Sequence, residues 1–262
     1  MKISVLVDNK FNKPFVGEHG LSLFVESENF KFLFDSGESD LFIKNAKSLN
    51  IDLNSIDFIA LSHGDYDHAN GLKYLKTLNT PLYAHPDILS HRISKRRGVY
   101  AGINQTESQL KEKFNLNLTK QPKKIVDDVW FLGEINKAQN LPIGGLPMTD
   151  INGNEYLHLD DSGVAIKTKK GLVVIAGCAH SGICNIIEHA KKITNESKVY
   201  AVIGGFHLKV VDEKSKKVID YLKAQNIDKL FLAHCTSDEV CACFEKIFPH
   251  SIRIETGKQY TL

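Results

Sequence analysis

Ile59-Ala60-Leu61-Ser62-His63-Gly64-Asp65-Tyr66-Asp67-His68-Ala69-Asn70-Gly71-Leu72 is the stretch on which the reading of this chain turns. The apolar run Phe58 to Leu61 predicts a buried strand that stops at Ser62. A helix-like segment, residues 72–78, follows Gly71. Between them stand His63, Asp65, Asp67 and His68. Two imidazoles supply nitrogen and two carboxylates supply oxygen, a mixture that suits zinc, iron or manganese. The alternating His63, Asp65 and Asp67 converge in an extended turn, and the adjacent Asp67 and His68 can serve a second ion. A turn that merely caps the next helix needs one such side chain. The stretch predicts a metal site.

Upstream, Ile3 to Val7, Leu21 to Glu26 and Lys31 to Phe34 have strand character, with a hairpin turn at Glu28-Asn29. Asp35-Ser36-Gly37 breaks the third of these, and Leu41 to Leu49 has helical spacing. Downstream, Leu82-Tyr83-Ala84 is a short strand that exits at His85-Pro86. Residues from Ser90 to about Asn117 lack strand periodicity and carry the basic cluster His91, Arg92, Lys95, Arg96 and Arg97. A mobile insertion or lid is expected over residues 90–120. The cluster is either a solvated face or a clamp in which Arg92, Arg96 and Arg97 grip an anionic substrate, since guanidinium forks match carboxylate and phosphate. Val126 to Leu132 resumes strand character, and residues 141–147 read as a loop.

The second half repeats the alternation. Gly163 to Lys167 and Leu172 to Ala176 form a strand pair, ending at Gly177-Cys178-Ala179-His180; Ile183 to Ile193 is helical. The strand Lys198 to Ile203 ends at Gly204-Gly205-Phe206-His207, Lys214 to Gln225 is helical, and Leu230 to Ala233 ends at His234-Cys235. Three successive strands thus end in turns that contain histidine. Ligands bind at the carboxyl ends of strands in open α/β layers, so the recurrence predicts one shared site.

A length of 262 residues allows one large domain or two small ones, and 42% hydrophobic with 24% charged residues is ordinary globular composition. A net charge of +2 gives no reason to expect nucleic-acid binding. The five cysteines are an odd number, the start M-K-I-S-V-L-V-D has no apolar signal core, and no apolar run approaches the roughly 20 residues of a membrane span. A cytoplasmic protein without membrane association is expected.

The stretch His63-Gly64-Asp65-Tyr66-Asp67-His68 resembles the first metal motif of the metallo-β-lactamase superfamily, His-x-His-x-Asp-His. Phe34-Asp35-Ser36-Gly37 resembles the superfamily's aspartate-glycine motif, and Gly177-Cys178 and Ala233-His234 its later metal motifs. Glu18-His19-Gly20-Leu21-Ser22, Gly177 to Gly182, Gly204 to Leu208 and His234-Cys235-Thr236 are similar to hallmarks of the stand-alone metal-dependent hydrolases of β-lactamase superfamily II. That group includes dihydropterin-methyl-ribofuranosylaminobenzene-phosphate synthases. The resemblance spans nearly the whole chain. It implies an α/β fold, a single αββα four-layer sandwich over residues 1–262, with two mixed sheets face to face and helices outside.

The same resemblance implies one or two divalent transition metal ions, zinc first, with iron or manganese as alternatives. The expected ligands are His63, Asp65, Asp67, His68, Cys178, His180, His234 and His158, with Asp160 and Asp161 as rivals of His158. Two positions depart from the pattern. Asp65 stands where a second histidine is usual, which tilts the site towards harder ions. Cys178 stands where a bridging aspartate is usual, and is either a soft ligand or a core thiol. Asp35 is either a helix N-cap or, as the resemblance implies, a carboxylate that orients a ligand histidine. His19, His91, His189 and His250 are taken as structural or solvated, and Cys184, Cys241 and Cys243 as small hydrophobes.

The implied activity is hydrolysis of an ester, lactone or phosphoester-type small molecule by a metal-bound hydroxide, with Asp67, His180 and His207 as acid–base groups. A di-iron oxidoreductase of flavodiiron type, lacking its flavin domain, is one alternative; a metal-binding sensor with a degenerate site is the other.

Overall fold

Parallel strand pairs need helical crossovers, so a sequence that alternates strand and helix twice should build two sheets with a parallel half each. A computed structural model of the chain describes residues 1–76, 79–138, 140–145 and 148–262. The first strands are β1 (Lys2–Val7), β2 (Ser22–Glu26), β3 (Lys31–Phe34), β4 (Phe58–Ala60) and β5 (Thr80–Ala84). Next come β6 (Ile93–Ser94), β7 (Val99–Tyr100), β8 (Phe114–Leu118), β9 (Lys123–Val126), β10 (Val129–Phe131) and β11 (Met148–Thr149). The last are β12 (Gly163–Thr168), β13 (Gly171–Ala176), β14 (Val199–Gly204), β15 (Lys229–Leu232), β16 (Ser251–Arg253) and β17 (Gln259–Thr261). The α-helices are α1 (Leu41–Ser48), α2 (Tyr66–Ala69), α3 (Glu107–Lys113), α4 (Ile183–Thr194), α5 (Glu213–Gln225) and α6 (Asp238–Ile247).

The chain divides into two compact units: Met1–Lys120 with Leu146–Asp160 and Glu255–Leu262, and Gln121–Gly145 with Asp161–Ile254. The first unit holds a seven-stranded sheet in the order β17-β1-β2-β3-β4-β5-β8. Its β17–β3 side is antiparallel, and β3, β4, β5 and β8 run parallel. Asp35, Leu61-Ser62 and His85 therefore leave the carboxyl ends of three neighbouring parallel strands. The sheet packs on Phe42 and Ala46 of α1, which lie in one cluster with Leu33, Ile59 and Leu82. On the same face of α1, Asn45 is buried and donates its amide to Leu6 O and Val16 O.

Three stretches depart from expectation. Residues 107–118, part of the stretch without strand periodicity, are α3 and the edge strand β8; Thr106 and Gln109 form a capping box at the start of α3. Only Phe114 of β8 is buried, so the strand leaves a weak apolar signal. The strand expected over 126–132 is instead the hairpin β9–β10, whose turn places Asp128 at φ +62°. The helix expected over 72–78 is a 3-10 turn at Asn70–Tyr74, and residues 77 and 78 lie outside the described residues. Residues 146 and 147 of the expected loop do so too.

The second unit holds a seven-stranded sheet in the order β16-β15-β14-β13-β12-β10-β9. Strands β13 to β16 are parallel, joined through α4, α5 and α6, and β12, β10 and β9 continue antiparallel. Ile183, Ile186, Ile187 and Ala190 recur on one face of α4 and pack with Val202, Leu222, Leu232 and Phe244. Each such large apolar side chain contributes about 1.5–3 kcal/mol on burial. The turns after β13, β14 and β15 thereby open side by side at one edge of this sheet. No helix among the described residues is long and apolar enough to cross a membrane.

Candidate metal centre

The first unit builds its cluster on β4. The strand delivers Ser62 and His63, and the chain then turns into the short α2 with Asp65 at the N-cap position. The Asp65 side chain makes no capping hydrogen bond. That removes the bland explanation for this carboxylate, because a capping aspartate would accept from the first turn. Gly64 is required by close approach: a Cβ there would lie 2.0 Å from Ile88 O.

His63 and His68 are both fully buried, with ring centroids 4.2 Å apart. Their outer nitrogens are anchored to one carboxylate, that of His68 directly and that of His63 through the Ser62 hydroxyl. Asp35 Oδ2 accepts from His68 Nδ1 at 2.8 Å and from Ser62 Oγ at 2.7 Å, while its Oδ1 accepts from Ser62 N at 2.7 Å. The hydroxyl proton of Ser62 goes to Asp35, so at 2.7 Å Ser62 Oγ accepts from His63 Nδ1. Both imidazoles are thus held in the tautomer whose Nε2 is the ligating atom. Asp35 itself sits at φ +56°, a left-handed conformation held by these bonds, and the N-cap of α1 is Asp40 instead.

Around this pair, Asp65 Oδ2 lies 3.5 Å from His63 Nε2 and 3.9 Å from His158 Nε2. Burial opposes a charge on His63, but Asp65, Asp160 and Asp35 outweigh it and raise its pKa to about 10. Burial likewise opposes ionisation of Asp65, yet His63, Arg92 and His158 hold its carboxyl below the usual range. For His158 burial wins, and its pKa falls to about 4. The electrostatics therefore favour a cation beside His63, as a divalent ion would require. His158 has φ +46° and stacks edge-on against Tyr156 at 5.0 Å.

Asp67 carries the other carboxylate of the motif, and His19 Nε2 lies 3.2 Å from its Oδ2. His19, expected to be structural or solvated, thus stands beside a carboxylate of the metal motif. Its signal was the Glu18-His19-Gly20 hallmark, and what brings it here is the Leu21 N–H, which donates to Asp67 O. Of the expected substrate clamp, Arg96 and Arg97 are exposed, and Arg97 covers the Tyr66 ring at 5.1 Å. Arg92 is not on the surface. It is fully buried, with Nη1 2.9 Å from Asp65 Oδ1 and Nη2 2.9 Å from Asp160 Oδ2. The ion pairs explain the burial, since an arginine goes inside only when paired. Asp160, a rival of His158, is engaged by Arg92, Gly64 N and Tyr156 OH. His85 is buried and caps a 3-10 turn through Nδ1, which accepts from Asp87 N.

The second unit carries Cys178, His180, His207 and His234, all buried. The turn after β13 is fixed by Asp161, which accepts from Ser181 N at 2.7 Å, and by Gly144 N and Gly145 N, which donate to His180 O. The next two turns are tied in series: Gly205 N donates to Gly177 O, and Phe206 N to Thr236 Oγ1. A Cβ at Gly205 would lie 2.3 Å from Cys235 Sγ, so the turns interlock only with glycine there. Ala179, His207 and His234 have φ of +51°, +51° and +40°. The His180 and His207 ring centroids are 4.8 Å apart. Left-handed non-glycine residues at three consecutive strand exits mark backbone held out of its preferred state, as at many functional sites.

The donor chemistry of both units fits divalent transition ions: nitrogen-rich, supplemented by carboxylate and thiol, with two imidazoles pre-oriented from behind.

This fold and these donors define a metallo-β-lactamase-type protein. The family model described as "Metallo-beta-lactamase superfamily" matches residues 16–188, and the chain belongs to that superfamily. The 7,8-dihydropterin-6-methyl-4-(beta-D-ribofuranosyl)-aminobenzene-5'-phosphate synthase of Methanocaldococcus jannaschii is 34% identical over 95% of this chain and 91% of its own. The crystal structure of Tm1679, a metal-dependent hydrolase of the beta-lactamase superfamily, is 31% identical with a TM-score of 0.87, covering 100% of this chain and 99% of its own. Zinc-bound PqqB from Methylobacterium extorquens shares the fold at 13% identity, with a TM-score of 0.61 and 100% of each chain covered.

Proposed function

We propose that this chain is a metal-dependent hydrolase of ester, lactone or phosphoester bonds in an anionic small molecule. The observation that carries the reading is the buried His63–His68 pair, which Asp35 and Ser62 orient from behind. The residues that would hold the metal are His63, Asp65, Asp67, His68 and His158 in one unit, and Cys178, His180 and His234 in the other. A divalent ion bound there would supply Lewis-acid activation of water and of a substrate oxygen.

The protein's own groups do the rest. Asp35 keeps the imidazoles from rotating. Asp67, within reach of the half-exposed His19, can accept a proton and pass it outward. His207, its ring beside that of His180, would give a proton to a leaving group. Arg97, held over Tyr66 beside the motif, supplies positive charge for an anionic substrate.

The name of the archaeal relative favours a second reading, in which the same centre serves a synthase reaction on a phosphorylated aromatic substrate. Mass spectrometry of the purified protein should find one or two transition ions per chain, fewer in His68→Ala. A screen of phosphodiesters, lactones and pterin-ribosyl phosphates for hydrolysis separates the two readings. Full metal content in His68→Ala would overturn the metal assignment, and turnover only in the direction of bond formation would favour the synthase.

A further inference from the structure

Among the described residues Arg92 is the largest fully buried side chain by volume, and every nitrogen of its guanidinium is engaged. Nη1 donates to Asp65 Oδ1, Nη2 pairs with Asp160 Oδ2 and donates to Asp87 O and Ile88 O, and Nε donates to Ser90 O. The Tyr156 ring lies against the guanidinium at 4.5 Å, and the Tyr156 hydroxyl donates to Asp160 Oδ1. All three nitrogens are thus turned to partners inside the protein, away from the surface where a substrate clamp was expected. What Arg92 does reach is the metal motif, in two places. It holds one oxygen of Asp65, and through Asp160, which accepts from Gly64 N at 2.8 Å, it holds the backbone of the turn between His63 and Asp65.

We propose that Arg92 is a positioning residue that makes Asp65 a one-oxygen, charge-balanced metal ligand. The proposal rests on the metal-binding reading above. The pinned Oδ1 leaves Oδ2 facing the imidazoles of His63 and His158, so Asp65 offers a single oxygen where the superfamily offers a single histidine nitrogen. A free carboxylate could swing and bind through both oxygens, and would add a negative charge that a histidine lacks. Arg92 removes both differences. The carboxylate then need not drive the site towards hard ions, and the zinc preference of a nitrogen-rich site is retained. Tyr156 and Asp160 are the supports that keep the guanidinium in place.

The test is metal binding by the full chain, measured for zinc and manganese by chelator competition and for cobalt(II) by its visible spectrum. Arg92→Met should bind zinc about 10- to 100-fold more weakly, the range found when partners behind metal ligands are removed. Manganese should lose less, narrowing the zinc-to-manganese ratio, and the cobalt spectrum should shift as Asp65 rearranges. Arg92→Lys keeps the charge but cannot bridge two carboxylates, so it should retain the ratio and still shift the spectrum. Asp160→Asn, which leaves Arg92 in place, should shift both readouts the same way by less and serves if Arg92→Met does not fold. In an Asp65→Asn background, Arg92→Met should change neither readout further. Folded Arg92→Met with wild-type zinc affinity and spectrum would overturn the proposal while leaving the metal reading intact. A wild-type chain that takes up none of the three ions would overturn both.

Discussion

Replacing Asp35 by asparagine changes one oxygen to an amide and nothing in size. It also preserves the backbone: Asp35 sits at φ +56°, a region that asparagine tolerates as well as aspartate, whereas alanine would add strain of its own. The carboxylate accepts three hydrogen bonds at 2.7–2.8 Å, from Ser62 N, Ser62 Oγ and His68 Nδ1. The asparagine carbonyl can serve only one side of this arrangement. Its NH2 must then face a donor, either the Ser62 amide or the His68 and Ser62 pair. One charge-assisted bond or more is lost and a buried donor is left facing another, a cost of about 2–4 kcal/mol. For a chain of this length that lowers the melting temperature by roughly 5–15 °C, to be read by calorimetry on metal-free protein. Metal affinity should fall in parallel by about 10- to 100-fold, because a neutral amide holds His63 and His68 in their ligating tautomers less firmly than the carboxylate does. Wild-type melting and wild-type affinity together would refute the role given to Asp35. Altered melting with unchanged affinity would reduce it to a structural bond.

Two further outcomes follow from the second unit. Gly205→Ala places a methyl 2.3 Å from Cys235 Sγ and 2.9 Å from Gly177 O, and should destabilise by about 1–3 kcal/mol in a thermal melt. Wild-type stability would mean that the three turns are not interlocked. His189 is buried in α4 with Nε2 bonded to Leu132 O, and burial, aided by Lys192, lowers its pKa below the ordinary 6.5. The unfolded chain therefore binds a proton more readily, and this part of the stability, present above about pH 6.5, is lost as pH falls through the lowered folded value. His189→Gln should flatten the melting temperature between pH 5 and pH 7 at about the wild-type level for pH 7; an unchanged acid slope would place the sensitivity elsewhere.

The sequence by itself determined the strand exits and the residues that stand at them. Phe58 to Leu61, Leu172 to Ala176 and Leu230 to Leu232 are apolar without alternation, the mark of strands covered on both faces, and each is followed two residues on by a residue named as a donor. Spacing of that kind is local, so it survives in one dimension. The tertiary structure decided which polar groups face one another. Arg92 lies in a basic run that looks solvated, and only the chain reversal that brings Asp160 and Asp65 to it makes its burial affordable in energy. His19 meets Asp67 because the segment after it runs alongside the backbone of α2. Asp35, open in sequence between a helix cap and a support for histidine, makes its bonds to Ser62 and His68 because β3 and β4 lie parallel and adjacent. A buried charge depends on partners far away in the chain, and pairing between distant residues carries no periodicity for a sequence to display.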